Sequence, residues 1–464
     1  MILVRYLCAP EKTMQKSRII LLRNVLLLLA AMGPLYVFAQ NSDSASSGAT
    51  HSRFNLHFQT TYIYQYQPAF HADYSGTNSL KPAEDKENSV TATLYLGARL
   101  WKGAELYINP EIAGGSGLSG AYGLAASTNG ETFRVGDPAP TLYLARGVLT
   151  QLFQLGAKGD TAVAEGANEI GGNKPNNYLK FLIGKMSLND IFDKNAYAND
   201  PRSQFMNWCL MQNGSWDYAA NLRGYTYVFA AVLQQGSMAY KAALAAMPTV
   251  ANGPDLNTNL GQEYSINAQV ERTYKINNRP GNIRLLGYYN NGDMGNYAQA
   301  MQDAGPGAIP DVISTRQYGR TKTGFGLNAD QQLNDYAGVF ARLGWSDGQN
   351  ETWCFTEADE IISAGISLTG DKWNRKSDVL AFAIDVNGLS ANHRDYLAAG
   401  GLGFQLGDGA LNYANESVAE LYYNYKLTAN NIWLTADYQF VFNPGYNSDR
   451  GPVNVFSFRV HVEL

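Results

Sequence analysis

One stretch of the chain, residues 185–227, is the densest in mixed aromatic and charged side chains. It runs KMSLNDIFDKNAYANDPRSQFMNWCLMQNGSWDYAANLRGYTY and includes Phe192, Trp208 and Trp216. Sugars bind to proteins by stacking an apolar ring face on an aromatic side chain, while polar side chains bond the hydroxyl groups. A loop of this composition, folded inward, could narrow a pore and favour sugars there. It could equally pack its aromatic rings on itself or on a rim, and composition alone leaves both interpretations open.

Residues that could act as catalysts or metal ligands are scattered along the sequence. The histidines stand at 51, 57, 71, 393 and 461, and no CxxC or HExxH spacing occurs, so we predict no metal site. There is no GxSxG, phosphate loop or dinucleotide fingerprint in a strand–turn–helix context. Glu131, Asp190 and Asp193 could contribute to the carboxylate pair of a glycoside hydrolase, but solvated loop or pore-wall charges are the simpler interpretation. We therefore predict no catalytic residues and no cofactor.

Apolar and polar side chains alternate along much of the sequence, which is typical of β-strands. Such strands must position the candidate residues. The chain ends on PVNVFSFRVHVEL, in which Phe456, Phe458 and Val460 share one face of a strand and Arg459 and His461 the other. Similar segments of about 10 to 14 residues recur at 53–66, 89–101, 263–276 and 431–442. They exceed the roughly 5 or 6 residues of a usual strand and match the ~9–11 residues of a tilted membrane strand. A soluble sandwich also alternates, but many segments of this length favour an all-β transmembrane antiparallel β-barrel with lipid outside and water inside.

Composition and the N-terminus indicate an exported protein. Only 16% of the 464 residues are charged, 30 are Tyr and 46 are Gly, and the mean hydropathy is −0.26. Such a chain suits alternating strands joined by polar loops and does not suit a helical membrane protein. Lys16, Arg18 and Arg23 precede the apolar run VLLLLAAMGPLYVFA, so we predict a signal peptide over 1–39 and a single barrel domain over 40–464.

Two further features limit the partners and the covalent structure. No basic cluster exists beyond the first residues, which argues against a nucleic-acid partner. The exported chain would keep two cysteines, Cys209 and Cys354, and the sequence leaves their pairing open.

The connections between the strands alternate between short and long. NNRPGN at 277–282 and TANN at 428–431 predict tight hairpin turns. Longer polar stretches predict loops at 67–87, 113–141, 156–176, 186–222 and 291–319. Short turns on one side and long extracellular loops on the other are typical of outer-membrane barrels. Residues 140–155 break the period of two, because Leu142, Ala145, Leu149 and Leu152 recur at intervals of three and four, so we predict one short helix there.

Several long blocks resemble the carbohydrate-selective porin family. They are NGETFRVGDPAPTLYLAR at 129–146, LNDIFDKNAYANDPRSQFMNW at 188–208, WDYAANLRGYTY at 216–227, and ELYYNYKL with DYQFVFNPGYNSDRGPV within 420–453. The resemblance covers nearly all of the mature chain. It implies a monomeric barrel of about 16 strands, with 18 possible. It also implies that the barrel lies in the outer-membrane lipid of a Gram-negative bacterium and passes mono- or oligosaccharides by diffusion.

The resemblance further implies a constriction lined by charged and aromatic side chains. Carried over to the matching blocks, the charged candidates are Arg134, Arg146, Asp190, Asp193, Arg202, Asp217 and Arg223. The aromatic stretch adds Trp208 and Trp216. Two alternatives stay open: a general porin or polysaccharide exporter on the same fold, and a secreted all-β glycan-binding protein or glycoside hydrolase. The sequence does not indicate which sugar is preferred or which ions pass.

Overall fold

The computed structural model describes residues 52–131, 139–156, 159–427 and 431–464. The signal peptide predicted over 1–39, the domain boundary predicted at residue 40 and the candidate Arg134 lie outside these ranges and stay predictions. Within these ranges, no helix has the length and apolar character needed to cross a membrane.

Sixteen strands form a closed barrel whose neighbours all pair antiparallel. They are β1 (Phe54–Gln67), β2 (Asp85–Trp101), β3 (Ala104–Gly115), β4 (Thr141–Gln154), β7 (Asn177–Met186), β8 (Thr226–Gln235), β9 (Met238–Ala245), β10 (Tyr264–Ile276), β11 (Arg279–Met294), β12 (Gln317–Gln332), β13 (Ala337–Ser346), β14 (Glu360–Gly370), β15 (Arg375–Gly388), β16 (Glu416–Leu427), β17 (Ile432–Phe442) and β18 (Val453–Glu463). Two more strands, β5 (Asp160–Val163) and β6 (Gly172–Pro175), pair with each other. Because β18 pairs with β1, the wall has no free edge. The predicted barrel of about 16 strands is confirmed.

The final strand shows why the chain alternates. Phe456 and Phe458 point outward with 47% and 44% of their surface exposed, whereas Arg459 and His461 point into the barrel with 0% and 2% exposed. The two faces of a strand therefore meet different surroundings, as the sequence predicts. Arg459, however, is enclosed by protein and does not stand in open water.

Residues 140–155 do not form the predicted helix, because they form strand β4. The register between β3 and β4 shifts once, which leaves Ala145 as an extra residue in β4. Such a β-bulge breaks the period of two, so apolar side chains recur at intervals of three and four without a helix. The bulge also turns both Tyr143 and Arg146, one odd and one even position, toward the lumen, where they line the same cavity.

The connections confirm the predicted asymmetry. At one end of the barrel the described connections are short turns, at 102–103, 236–237, 277–278, 333–336 and 371–374. The turn predicted at 428–431 lies largely outside the described residues and stays a prediction. Asn277 and Asn278 both have positive φ, which is the conformation of a two-residue hairpin turn, so this turn is shorter than the predicted 277–282. At the other end the connections are long, and they contain the short helices α1 (Trp208–Met211), α2 (Tyr297–Ala304) and α3 (Ala391–Ala398). The predicted loop 156–176 is the exception: it is long, but it joins β4 to β7 at the short-turn end and not on the side of the other long loops.

The longest connection, residues 187–225 between β7 and β8, lies inside the barrel and is called here the inward loop. Most of its apolar side chains are buried, among them Phe192 and Phe205. On the wall, the Glu420 carboxylate accepts hydrogen bonds from the backbone N–H groups of Met206 (2.5 Å) and Asn207 (2.9 Å). A carboxylate facing the lumen therefore fixes the backbone of the loop.

Two wall arginines bind carbonyl groups of the inward loop. Arg342 on β13 donates to Ala198 O at 2.6 Å. Arg459 on β18 donates to Pro201 O at 2.6 Å and to Gln204 O at 2.8 Å. The loop is thus bound to β13, β16 and β18, and the open space lies next to β1–β4.

The two cysteines do not form a disulfide, since Cys209 and Cys354 are both free. Each thiol is buried, and Cys354 Sγ lies 3.6 Å from Ala220 O. Buried thiols behave as small apolar side chains. The loop is therefore held inside the barrel by packing and hydrogen bonds.

Candidate pore constriction

A cavity of about 480 Å³ separates the inward loop from the wall strands β1–β4. The wall contributes Gln59, Tyr95, Glu111, Tyr143 and Arg146, and the loop contributes Asp190, Lys194, Asp200, Arg202, Trp208, Tyr218, Arg223 and Tyr225, with Glu131 from the preceding long connection. The lining therefore combines phenols with charges of both signs. Its volume falls in the range of about 300–1,000 Å³ that is usual for small-molecule sites.

Glu111 on β3 connects the wall to the inward loop. Its carboxylate accepts hydrogen bonds from Tyr225 Oη at 3.0 Å and from Thr93 Oγ1 at 2.5 Å, and a further one from the Tyr143 hydroxyl. Arg202 Nη2 donates to the same carboxylate at 3.3 Å. Because all these donors converge on one buried carboxylate, the side chains around it have little freedom to move.

Arg202 lies between two carboxylates. Besides its bond to Glu111, its Nε donates to Glu131 Oε1 at 2.6 Å and its Nη1 donates to Tyr95 Oη at 3.2 Å. Burial raises the pKa of Glu131, and the neighbouring Arg202 charge opposes that rise. The loop arginine thus neutralises acidic groups on the far side of the cavity.

Arg146 and Asp190 form a bidentate ion pair. Arg146 Nε donates to Asp190 Oδ2 at 2.7 Å and Nη2 donates to Oδ1 at 2.8 Å. Asp190 is held by a tight turn in which its carboxylate also accepts from the Ser187 N–H at 3.1 Å. Burial disfavours the ionised carboxyl, but the Arg146 charge outweighs it and lowers the pKa of Asp190. The pair therefore stays ionised and carries little net charge.

Arg146 also contacts a tyrosine ring, and Arg223 contacts a second one. Arg146, Tyr225, Tyr143 and Arg223 are called here the Arg–Tyr row. The Arg223 guanidinium lies 4.2 Å from the centre of the Tyr143 ring, and that of Arg146 lies 5.1 Å from the Tyr225 ring. The two ring centres are 6.1 Å apart. Cation–π contacts keep the rings and guanidinium groups in fixed orientations.

The structure brings together five of the predicted site residues and separates three others from them. Arg146, Asp190, Arg202, Trp208 and Arg223 line the cavity. Trp208 is only 5% exposed and stacks on Phe355, with 4.7 Å between ring centres. Arg134 lies outside the described residues.

Asp193, Trp216 and Asp217 are buried within the inward loop and do not line the cavity. Asp193 pairs with Arg342 at 3.1 Å. Trp216 is 1% exposed, and its indole N–H donates to Asn267 Oδ1 at 2.9 Å. These side chains hold the loop, and the buried indole of Trp216 has no open face for a sugar ring.

Asp217 also fixes the inward loop, through hydrogen bonds to a different part of the chain. Its carboxylate accepts hydrogen bonds from the backbone N–H groups of Trp353 (3.0 Å) and Cys354 (2.7 Å). Burial raises the pKa of Asp217 to about 6. Asp217 therefore ties the inward loop to a second long connection.

Sequence analysis did not identify Glu111, Tyr95, Tyr143 or Tyr225 as site residues. Tyr95 and Glu111 lie on β2 and β3, where alternation along the strand predicts that they point inward. Nothing in the sequence distinguishes them from the other inward polar side chains. Tyr143 was placed on a predicted helix, and only the bulge in β4 shows which way it points. Within the described ranges, no cluster of His, Cys, Asp and Glu is arranged to hold a metal ion.

A closed sixteen-stranded barrel that is narrowed by an inward loop is the architecture of an outer-membrane porin. A family model, the carbohydrate-selective porin, OprB family, matches residues 77–464, and the chain belongs to this family. The protein is thus an outer-membrane sugar porin of a Gram-negative bacterium, and its family and fold indicate a channel rather than an enzyme.

The chain is similar to solved structures of outer-membrane proteins. The high-pH structure of Pseudomonas putida OprB has a TM-score of 0.68 and 15% sequence identity, covering 89% of this chain and 94% of that chain. The outer-membrane channel DcaP of Acinetobacter baumannii has a TM-score of 0.46 and 10% identity, covering 89% of this chain and 97% of that chain. No curated protein sequence matches this chain.

Proposed function

We propose that mono- or oligosaccharides cross the membrane by passive diffusion through the cavity between the inward loop and strands β1–β4. The observation that carries this proposal is the lining, in which phenols, guanidinium groups and carboxylates fix one another around an open volume of about 480 Å³. The protein works as a monomer in outer-membrane lipid, which covers outward side chains such as Phe456 and Phe458. No energy source takes part.

Sugar hydroxyl groups both donate and accept hydrogen bonds, and the lining offers both kinds of partner. The Arg146–Asp190 pair presents guanidinium donors beside carboxylate acceptors, and Arg202 does the same beside Glu111 and Glu131. Because the charges of these two groups have partners of opposite sign, a neutral solute meets polar groups there without a strong field of one sign. Binding at such a site is weak, and a channel requires weak binding for release.

The alternatives are less well supported by the cavity. A glycoside hydrolase needs one carboxylic acid and one carboxylate that are free to act on the substrate. Glu111 and Glu131 instead bind the same Arg202 guanidinium. A general porin or a polysaccharide exporter shares the fold, and permeation measurements distinguish these from a sugar porin.

Liposome swelling with a series of sugars tests the proposal. Liposomes that contain the purified protein should swell faster in a neutral monosaccharide than in an uncharged non-sugar solute of equal size. Equal rates for sugars and non-sugars of each size would establish a general porin and contradict the proposal. Empty liposomes and liposomes with heat-unfolded protein provide the background rates.

A further inference from the structure

The connection between β4 and β7 differs from the other connections at its end of the barrel. The complete turns described at that end have two to four residues, whereas this connection runs over 155–176 and carries the β5–β6 hairpin. Short turns and both chain ends lie on the periplasmic side of an outer-membrane barrel. The residues between the two strands, 164–171, are called here the hairpin tip.

The hairpin tip is bonded to the inner face of β1. Asn55, a buried lumen-facing residue, donates from Nδ2 to Glu165 Oε1 at 3.2 Å, to Gly166 O at 3.1 Å and to Glu169 O at 3.3 Å. Since the donor points into the barrel, the tip is folded into the periplasmic mouth and does not project away from it.

Strands β2 and β3 hold the other side of the tip. Asn109 Nδ2 donates to Asn168 Oδ1 at 2.9 Å, and the Ile170 N–H donates to Tyr107 Oη at 3.3 Å. Arg99 also donates to the backbone carbonyl of Gly171, at 3.4 Å. The Ile170 side chain is buried beneath these contacts. With bonds to three strands, the tip is a fixed part of the mouth.

The tip also borders the path that the proposed function assigns to sugars. Ala167 and Asn168 line the same cavity as Glu111 and Arg202. Ala167 is exposed to that cavity and carries only a methyl group. The hairpin tip and the Arg–Tyr row thus border the same cavity.

We propose that the hairpin tip is a second constriction, at the periplasmic end, that sets the largest sugar able to leave the pore. This inference rests on the proposed function. The two constrictions act on different properties of the solute. The Arg–Tyr row has charged and phenolic groups that can form hydrogen bonds to sugar hydroxyls, whereas the methyl side chain of Ala167 forms none. The tip therefore discriminates by width, and it affects long sugars more than single rings.

Enlarging Ala167 tests the width of the second constriction. Ala167→Trp should lower single-channel conductance about twofold or more and should slow trisaccharide swelling more than monosaccharide swelling. Ala162→Trp is the matched control, because Ala162 is exposed on β5 but does not line the cavity. If both variants fold and behave alike in current and in size limit, the tip does not border the path and the proposal is wrong.

A cysteine variant gives a second measurement that does not depend on folding with a bulky side chain. Ala167→Cys is reconstituted in a planar bilayer and treated with a charged methanethiosulfonate reagent, which should lower the current in single steps. Cys209 and Cys354 are buried, so wild type treated in the same way should keep its current, as should Ala162→Cys. An unchanged current in labelled Ala167→Cys would overturn the proposal.

Ion conductance separates this proposal from the proposed function. If wild type shows no sugar preference but labelled Ala167→Cys still loses current, the sugar function fails and the second constriction stands. If wild type prefers sugars but the Ala167 variants change neither current nor size limit, the second constriction fails and the sugar function stands.

Discussion

Arg146 on strand β4 and Asp190 on the inward loop join the two sides of the cavity through a bidentate ion pair, with hydrogen bonds of 2.7 and 2.8 Å. Each partner is placed by a local irregularity. The bulge at Ala145 turns Arg146 inward, and a capped turn that begins at Ser187 orients Asp190. Bidentate pairs fix both distance and orientation, so this contact sets the width of the path at this point.

Replacing the arginine of this pair should reduce sugar recognition. Arg146→Ala should weaken sugar block of the ion current by about tenfold, since a hydrogen bond to a charged group contributes roughly 1.5–3 kcal/mol. Sugar titrations in planar bilayers measure the block. Arg272→Ala is the control, because Arg272 is exposed and does not line the cavity. A block equal to that of wild type would show that sugars do not contact Arg146.

The balance of charge in the lining predicts the ion selectivity. The cavity is lined by four basic and five acidic side chains, so the wild-type pore should weakly prefer cations. Arg202→Gln should strengthen that preference, because Glu111 and Glu131 would lose their shared cation. The reversal potential in a salt gradient measures the change, with Arg272→Gln as the control. A shift toward anions would contradict this assignment of the lining charges.

Strand parity was enough to predict the barrel and the two faces of the strands that it identified, because lipid and lumen impose a strict alternation. It failed at β4, where one extra residue, Ala145, reverses the parity halfway along the strand. No particular residue type marks this bulge in the sequence, so the spacing of the apolar residues fitted a helix equally well. The error matters for function, since the bulge is what places Arg146 and Tyr143 on the same side.

The candidate site was predictable only in part, for a related reason. Composition identified the stretch that forms the inward loop, but it could not indicate which side chains face the cavity and which face the wall. Arg202 and Asp193 lie nine positions apart in one loop, yet Arg202 lines the cavity and Asp193 binds Arg342 behind it. The direction in which a loop side chain points depends on its partners on distant strands. Only the folded barrel shows which residues those partners are.

The two faces of the last strand give a test of membrane insertion. Phe458→Arg should impair assembly, because a cation on the lipid face near the midplane costs roughly 2–4 kcal/mol. Arg459→Ala should insert, but its loss frees the carbonyl groups of Pro201 and Gln204, so the current should become noisier and larger. Heat-modifiable gel migration measures assembly and bilayer recording measures current. Normal assembly of Phe458→Arg together with failed assembly of Arg459→Ala would mean that the faces are reversed.

The two candidate tryptophans should respond differently to truncation. Trp216→Ala removes a buried indole and its bond to Asn267, which should cost about 3–5 kcal/mol and loosen the inward loop. Assembly should fall and the remaining channels should fluctuate. Trp208→Ala should instead widen the cavity and weaken sugar block, since Trp208 lines it. Trp101→Ala, on the exposed outer surface, is the control. If Trp216→Ala lowers sugar block without changing assembly or noise, its indole is a sugar contact after all.

Asp217 makes the attachment of the inward loop depend on pH. Burial raises its pKa from 3.8 to about 6, so the folded protein binds this proton more tightly than the unfolded chain does. The stability that Asp217 contributes is therefore complete below about pH 4 and is lost as the pH rises through about 6.

The comparison with Asp217→Asn isolates this effect from other titrating groups. Relative to that variant, wild type should lose about 2 kcal/mol of stability between pH 4 and pH 6, which is most of the ~3 kcal/mol that a rise of the pKa from 3.8 to about 6 implies over the full pH range. The temperature at which the barrel unfolds in detergent, followed by gel migration at a series of pH values, measures the difference. Asp395→Asn, at an exposed carboxylate on α3, should show no such trend. A difference between wild type and Asp217→Asn that stays constant across this range, or grows in favour of wild type, would show that Asp217 is ionised in the folded protein throughout.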